Sequence, residues 1–333
     1  MSMTKSTDPS ISQRTNLHAE AQMLTHAGPT MVLAKFGMPK QMPMNKSQTI
    51  KFRRPKVFTE ATIPLTEGVT PNTTAFEYED VTATLKQYGM VVGVTDVIED
   101  THEDPVLNDA TTQCGENIGR TMEALMWGVL QGGTNVFYAN STARANVNTA
   151  ITLNKQRAVT RALKAQKAMK ITRILSASPG YETRAVEAAY VAVAHTDCEA
   201  DIRGLAGFTP VAEYGQRRPI CDEELGSVED VRYVLSPDLD PILASGSGTL
   251  NGMVSQGASN VDIYPVIFLG KEAFGHVALK GKGAVSPSII PVGTKTKDDP
   301  LGQRGYVGWK TWFVCVRLNE LWMARLEVGV TDL

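Results

Sequence analysis

His195, Thr196, Asp197 and Cys198 form the one local group in this sequence whose side-chain types could do chemistry together. On a helix, His195 and Cys198 would be neighbours, either a base beside a thiol nucleophile or half of a metal site. Two ligands do not make a metal site, and no other Cys or His stands near them in sequence. Helix-end capping or surface exposure explains the group more simply. The other histidines, His18, His26, His102 and His276, are scattered. The glycine-rich stretches fail as phosphate loops. Residues 245–248 (SGSG) lack the third glycine of a dinucleotide fingerprint, and residues 281–283 (GKG) lack both the upstream glycine and the following hydroxyl residue. Gly-x-Ser-x-Gly and His-Glu-x-x-His are absent as well. The residues give no positive sign of an enzyme, a cofactor or a metal.

The chain has 333 residues, 42% of them hydrophobic and 20% charged, with a net charge of −2. That composition excludes intrinsic disorder, and the length suits two domains or one large one. The near-neutral balance disfavours a generally basic nucleic-acid binder. No apolar run approaches the ~18 residues that would cross a bilayer. The polar N-terminus lacks the apolar centre of a signal peptide. Cys114, Cys198, Cys221 and Cys315 follow neither a disulfide nor a zinc spacing, so the expectation is a protein of a reducing cytosol.

The balance hides opposed blocks. Residues 1–60 hold nine basic and three acidic side chains; 61–110 hold one basic and ten acidic; 141–184 hold nine basic and one acidic. Such blocks are either solvated faces or complementary surfaces that meet in an assembly.

The elements that must carry these blocks follow from periodicity. Residues 1–48 read as a polar arm with one short apolar stretch at 31–36, which must be mobile or lie on another surface. Residues 49–54 (TIKFRR) and 78–85 (YEDVTATL) alternate as strands, separated by a span punctuated by Pro55, Pro64, Gly68 and Pro71. Together they make an extended hairpin with little core of its own, marginal unless it packs on something else. A long helix follows. Asp104 is its N-cap, Pro105 fits its first turn, and Leu107, Ala110, Cys114, Ile118, Met122, Leu125 and Val129 form one apolar stripe before Gly132 and Gly133. Cys114 on that stripe is an inert core thiol, and Gly115 and Gly119 imply close packing.

A second, basic amphipathic helix spans 154–170, with Arg157, Arg161, Lys164 and Lys167 on one side. A strand at 171–175 precedes a third helix over 181–203. The remainder is β-rich, with strands at 231–235, 261–269, 274–279, 306–318 and 321–328. The last two, aromatic and β-branched about Asn319 and Glu320, read as a buried hairpin. The fold class is α+β.

The order of arm, basic hairpin, long lone helix, mixed domain and returning aromatic strands resembles the major capsid proteins of tailed bacteriophages with the Hong Kong 97-like fold. Within them it is similar to the family typified by the coliphage N-four coat protein. The residues that carry the likeness are 49–54, 64–71 (PLTEGVTP), 80–85 with 87–89 (QYG), 133–136 (GTNV), 261–265 (VDIYP), 302–310 (GQRGYVGWK) and 317–319 (RLN). They run in order along nearly all of the chain past residue 30.

The resemblance implies an N-terminal arm at 1–48, an extended loop (E-loop) at 49–95 and a peripheral domain with its spine helix at 96–154. It also implies an axial domain at 155–300 and strands at 301–333 that rejoin the peripheral domain. By the same resemblance the protein is non-enzymatic and has no cofactor. It builds hexamers and pentamers of an icosahedral shell around double-stranded DNA, assembled in the host cytoplasm. Its partners are copies of itself, a scaffolding protein, a portal, decoration proteins and non-specifically held DNA, with no membrane. The expected intersubunit contacts set Lys51, Arg53, Arg54 and Lys56, with Glu67 in the loop, against Glu99, Asp100, Glu103 and Asp104 of a neighbour. Arg157, Arg161, Lys164 and Lys167 are the expected DNA-facing side chains. The fold's prototype cross-links its subunits through an E-loop lysine. This chain has no lysine between Lys56 and Lys86, so no covalent cross-link is expected. The alternative reading is a nucleic-acid-binding protein working through the 141–184 block.

Overall fold

Strands buried on both faces organise the centre of this chain. The computed structural model describes residues 31–40, 48–101, 106–175, 183–215, 217–257, 259–277, 285–295 and 299–333, apart from 57, 63, 65–66, 69 and 71–72. Its centre is an eight-stranded mixed sheet made of β5 (Val136–Tyr138), β6 (Ile171–Leu175), β7 (Thr183–His195), β8 (Phe208–Pro210), β9 (Glu224–Val228), β10 (Val231–Ser236), β11 (Tyr264–Leu269) and β16 (Met323–Val328). The strand order is β5-β16-β11-β7-β10-β9-β8, with β6 also on β7.

The sheet divides two cores. Val191, Val193, Val234, Ile267, Leu269 and Met323 point into one. Their immediate neighbours Tyr190, Ala192, Tyr233, Val266, Phe268 and Ala324 point into the other. Strands covered on both faces lose the polar-apolar alternation of a half-buried strand and read as continuous apolar runs.

The first core lies against α2 (Val106–Gln131), whose buried Cys114, Ile118, Met122, Met126 and Leu130 face it. A short helix, α1 (Asp96–Thr101), precedes α2; Asp104 and Pro105, read as its start, lie outside the described residues. The second core is closed by α3 (Leu153–Ala165) and the short α4 (Glu199–Arg203). Two three-stranded sheets complete the body. One is β13-β14-β4, made of Val285–Ile290, Arg304–Phe313 and Lys86–Thr95; the other is β1-β12-β15, made of Met38–Lys40, Phe274–Val277 and Cys315–Arg317. A two-stranded ribbon, β2 (Thr49–Pro55) with β3 (Tyr78–Thr84), stands apart.

Two sequence expectations are corrected here. The segment 181–203 is not one helix: 183–195 is strand β7, followed by a 3-10 turn and the five-residue α4. Its alanines favour helix, but Tyr190, Ala192 and Ala194 on one side and Val191 and Val193 on the other match a central strand between β10 and β11. Tertiary packing overrides propensity there. The closing aromatic strands do not pair as a hairpin either. β14 pairs with β13 and β4, β15 with β12, and β16 with β11 and β5. A 3-10 turn at Glu320–Trp322 redirects the chain between sheets.

The basic helix ends at Ala165, earlier than its pattern, because Lys167 takes a left-handed conformation at φ 55°. The apolar stretch of the arm, with Val32, Leu33, Ala34 and Phe36 buried, belongs to the first core of its own chain.

Candidate assembly surfaces

The ribbon is set by strict register, from Thr49 opposite Thr84 to Pro55 opposite Tyr78. At its base Ile50 and Phe52 are buried. The Phe52 ring lies where a Cβ on Gly275 would come within 2.6 Å, so β12 needs glycine there for the ribbon to seat. Farther out the ribbon is exposed on both faces.

There the register places opposite charges across the strands. Arg53 Nε donates to Asp80 Oδ1 at 2.7 Å, Arg54 pairs with Glu79 at 2.7 Å and Lys56 with Glu77 at 2.6 Å. The Arg53 hydrogen bond holds the Asp80 carboxyl below the usual range, and Lys56 does the same for Glu77. Lys51 is exposed, and its carbonyl accepts from Lys40 Nζ. Three of the four basic residues expected to reach a neighbour therefore have acidic partners in their own hairpin. The sequence hid this because the partners lie 21 to 27 residues away.

Of the acidic residues assigned to the other side of that contact, Glu67 is exposed in the loop beyond the ribbon, beside Gly68 at φ 76°. Glu99 and Asp100 fall in α1; their side chains, and Glu103 and Asp104 altogether, lie outside the described residues.

The basic helix α3 is neutralised in the same way. Arg157 is paired with Glu229, and Lys164 with Asp230 at 2.5 Å; Lys170 adds a second contact to Asp230 at 2.9 Å. Hydrogen bonds from Lys164 and Lys170 keep the Asp230 carboxyl low. Lys167 approaches Glu60 of the loop beyond the ribbon at 3.5 Å, both more than 80% exposed, a contact of little energetic weight. Arg161 is exposed and makes no ion pair among the described residues. The inner side of α3 is anchored by Gln156, which donates to the Val228 carbonyl at 3.0 Å and accepts from Tyr233 at 2.8 Å.

The His195–Cys198 group does no chemistry of the kind its residues suggest. His195 Nδ1 accepts from the backbone N–H of Asp197 at 3.1 Å and so caps a 3-10 turn. Cys198 is 1% exposed, and burial pushes its thiol well above the ordinary value. A thiol held protonated is no nucleophile. Among the described residues no three His, Cys, Asp or Glu side chains gather as a metal site. No described helix is long and apolar enough to cross a membrane.

Two buried charge sites went unnoticed in the sequence. Glu123, in the middle of α2 with no exposure, accepts from the backbone N–H of Leu33 at 3.0 Å and of Val32 at 3.3 Å. Burial, against those two hydrogen bonds, pushes its carboxyl up to about 8. This ties residues 31–36 to the long helix, and Lys35 adds a bond to Glu223 at 2.8 Å. The second is Glu327 on β16, also fully buried, which receives Arg144 through two bonds of 2.7 Å. Arg325 Nε lies 2.9 Å from the same carboxylate but without hydrogen-bond angles, so that contact is Coulombic. A glutamate on a helix or strand reads as solvated, and only the fold shows otherwise.

Taken together, a sheet packed on both faces, a 26-residue helix across one of them and a ribbon almost without a core define an α+β protein with a projecting hairpin. Residues 78–325 match the family of phage capsid proteins, and the chain belongs to that family.

Solved structures agree on the fold. The chain is similar to the capsid of Ralstonia phage GP4, with TM-score 0.65, 13% identity and 90% of each chain covered. It is also similar to the cyanophage Pam1 capsid, with TM-score 0.62, 15% identity and 92% and 93% covered. The head of Helicobacter pylori bacteriophage KHP40 matches with TM-score 0.55, 15% identity and 89% and 88% covered. The likeness is one of fold, and it agrees with the Hong Kong 97-like capsid class that the resemblance implied. No curated protein matches the sequence.

Proposed function

We propose that this chain is the major capsid protein of a tailed phage of the coliphage N-four type, assembling as hexamers and pentamers into an icosahedral shell around double-stranded DNA. The observation that carries the reading is the ribbon. It spends 14 strand residues on a projection that buries only its base, which costs chain entropy that an isolated subunit does not recover. A shell recovers it, because each projection lies on a neighbour.

In this reading 1–48 is the arm, 49–95 the extended loop, and 96–154 the peripheral part with α2 as its spine. Residues 155–300 form the axial part, and 301–333 return to the periphery. A separate scaffolding protein, a portal and decoration proteins complete the particle, which is built in the host cytoplasm. Lys51, exposed at the ribbon base and in no ion pair among the described residues, and the paired Arg53, Arg54 and Lys56 then face the acidic 99–104 segment of the next copy. Arg161, exposed and without an ion pair among the described residues, is left open toward DNA.

Negative-stain microscopy of the expressed protein tests the reading: polyhedra, tubes or capsomers are expected, and a protein that stays monomeric at every concentration and salt overturns it. Reversal at Arg53 and Arg54 should weaken assembly and be partly rescued by reversal at Glu99 and Glu103 in a double-mutant cycle. Denaturing gels of mature particles should show single chains, because no lysine stands between Lys56 and Lys86 in the loop; a ladder of cross-linked oligomers would refute that.

A further inference from the structure

One edge of the central sheet holds a positive charge that the described residues do not answer. Arg325 and Glu327 are two apart on β16 and so share one of its faces. β5, the outermost strand, runs alongside, with Val136 opposite Arg325 and Tyr138 opposite Glu327. A 3-10 turn, Arg144–Asn146, follows β5 and brings Arg144 to the same place. Two guanidinium groups and one carboxylate meet there, a net charge of +1.

The carboxylate is already taken. Arg144 Nε donates to one oxygen of Glu327 and a second Arg144 nitrogen to the other, each at 2.7 Å. Arg325 Nε, 2.9 Å from that carboxylate, has no hydrogen-bond acceptor among the described residues. Its residue is 8% exposed, so water does little to hydrate the charge. Burial accordingly holds the Arg325 guanidinium below its ordinary pKa. Arg232, 4% exposed, shows the satisfied case, with Glu187 at 3.0 Å and the Arg218 carbonyl at 3.2 Å. A buried cation short of acceptors is a costly arrangement, and a bound anion removes the cost.

We propose that Arg144 and Arg325 bind a small oxyanion of the phosphate class, with the Tyr138 phenol beside it. Guanidinium groups suit such an anion because their N–H groups match its oxygens in pairs. Tyr138 is near enough to interact electrostatically with both arginines, and its hydroxyl is a further donor. The way in is past Arg144, whose side chain is 34% exposed at the open edge of the sheet. Arg325 lies behind that rim, which admits a free inorganic anion and stops the phosphates of a duplex at Arg144. The site belongs to the single chain and does not depend on the shell reading.

Thermal melts of the full-length chain test this, with inorganic phosphate titrated against chloride at equal ionic strength. The parent's melting temperature should rise with the logarithm of phosphate concentration. Arg325→Met leaves Arg144 and Glu327 as a neutral pair, and should bind phosphate about tenfold more weakly or worse. Phosphate also stabilises folded chains by exclusion from their surfaces, but that acts on parent and variant alike, so their difference reads the site. The phosphorus NMR line of phosphate should broaden with the parent and stay narrow with the variant. Arg144→Gln, which leaves Arg325 to Glu327, is the second variant should the first not fold, and the same loss is expected of it. A parent that answers phosphate as it answers chloride, with a narrow line, overturns the proposal. So does a folded variant that keeps the full rise. Duplex DNA that displaces phosphate from the parent would assign the site to nucleic acid and overturn the free anion.

Discussion

The ribbon and the central sheet use the same charged residue types to opposite ends. In the ribbon, Arg53–Asp80, Arg54–Glu79 and Lys56–Glu77 are open to solvent, where attraction is screened and holding two long side chains costs entropy. They keep an exposed edge from pairing with the wrong strand and add little to stability. On the sheet, Glu327 has no exposure and sits between Arg144 and Arg325, out of reach of water that could replace either partner. An ion pair matters there because breaking it strands a charge. The difference lies in surroundings and not in residue type, and it ranks the expected effects of substitution.

The largest belongs to Glu327. Its replacement by alanine strands the buried Arg325 guanidinium beside that of the partly exposed Arg144, at a cost of about 3–5 kcal/mol. Domains are stable by only about 5–15 kcal/mol, so the variant should lose a large share of its stability and melt well below the parent. A soluble variant whose melting temperature matches the parent would show that the triad is solvated.

Intermediate effects belong to two buried titratable groups that flank the arm segment. Glu123, ordinarily near 4.5, is pushed up to about 8, so the folded chain keeps a proton that the unfolded chain has released. Its contribution therefore declines as pH rises from about 4.5 and is fully lost above about 8. His276, opposite Pro39 of β1, has both ring nitrogens buried without a hydrogen-bond partner among the described residues, and burial lowers it from 6.5 to about 4. The unfolded chain gains a proton there that the folded chain refuses, so stability declines as pH falls from about 6.5 to about 4. Thermal melts across pH should show both slopes; Glu123→Gln should flatten the alkaline one and His276→Leu the acid one. A variant that retains its slope would assign that slope to other groups.

The same contrast explains what could be read in advance. The ribbon was legible because TIKFRR and YEDVTATL alternate and prolines punctuate the span between them. The long helix was legible because Cys114, Ile118 and Met122 recur at four-residue steps on one face. Both signals are local. β7 was misread because Ala189, Ala192 and Ala194 carry a helical preference, while the fact that decides them, two covered faces, lies in β10 and β11. The closing strands were misread as partners because sequence shows that Trp309, Trp312 and Trp322 are buried or half-buried types without showing which strand each sits beside. At the candidate surfaces the cations were found and their counter-ions were not. Arg157 meets Glu229 across 72 residues, and Glu123 meets Leu33 across 90, distances over which no pattern carries.

The smallest expected effect is the sharpest test of the contrast. Arg54→Ala, Glu79→Ala and the double variant should melt with the parent chain, and added salt should not separate them, because this pair is screened from the outset. Register should survive as well. Ile50 and Phe52 are buried on one face of β2, and a one-residue slip would turn both outward. Amide exchange along β2 and β3 measures this directly, with protection expected to be unchanged in all three variants. Loss of protection in the single variants, restored in the double variant, would mean that an unpaired charge disturbs the ribbon and that opposed charges, more than the buried base, hold its two strands in step.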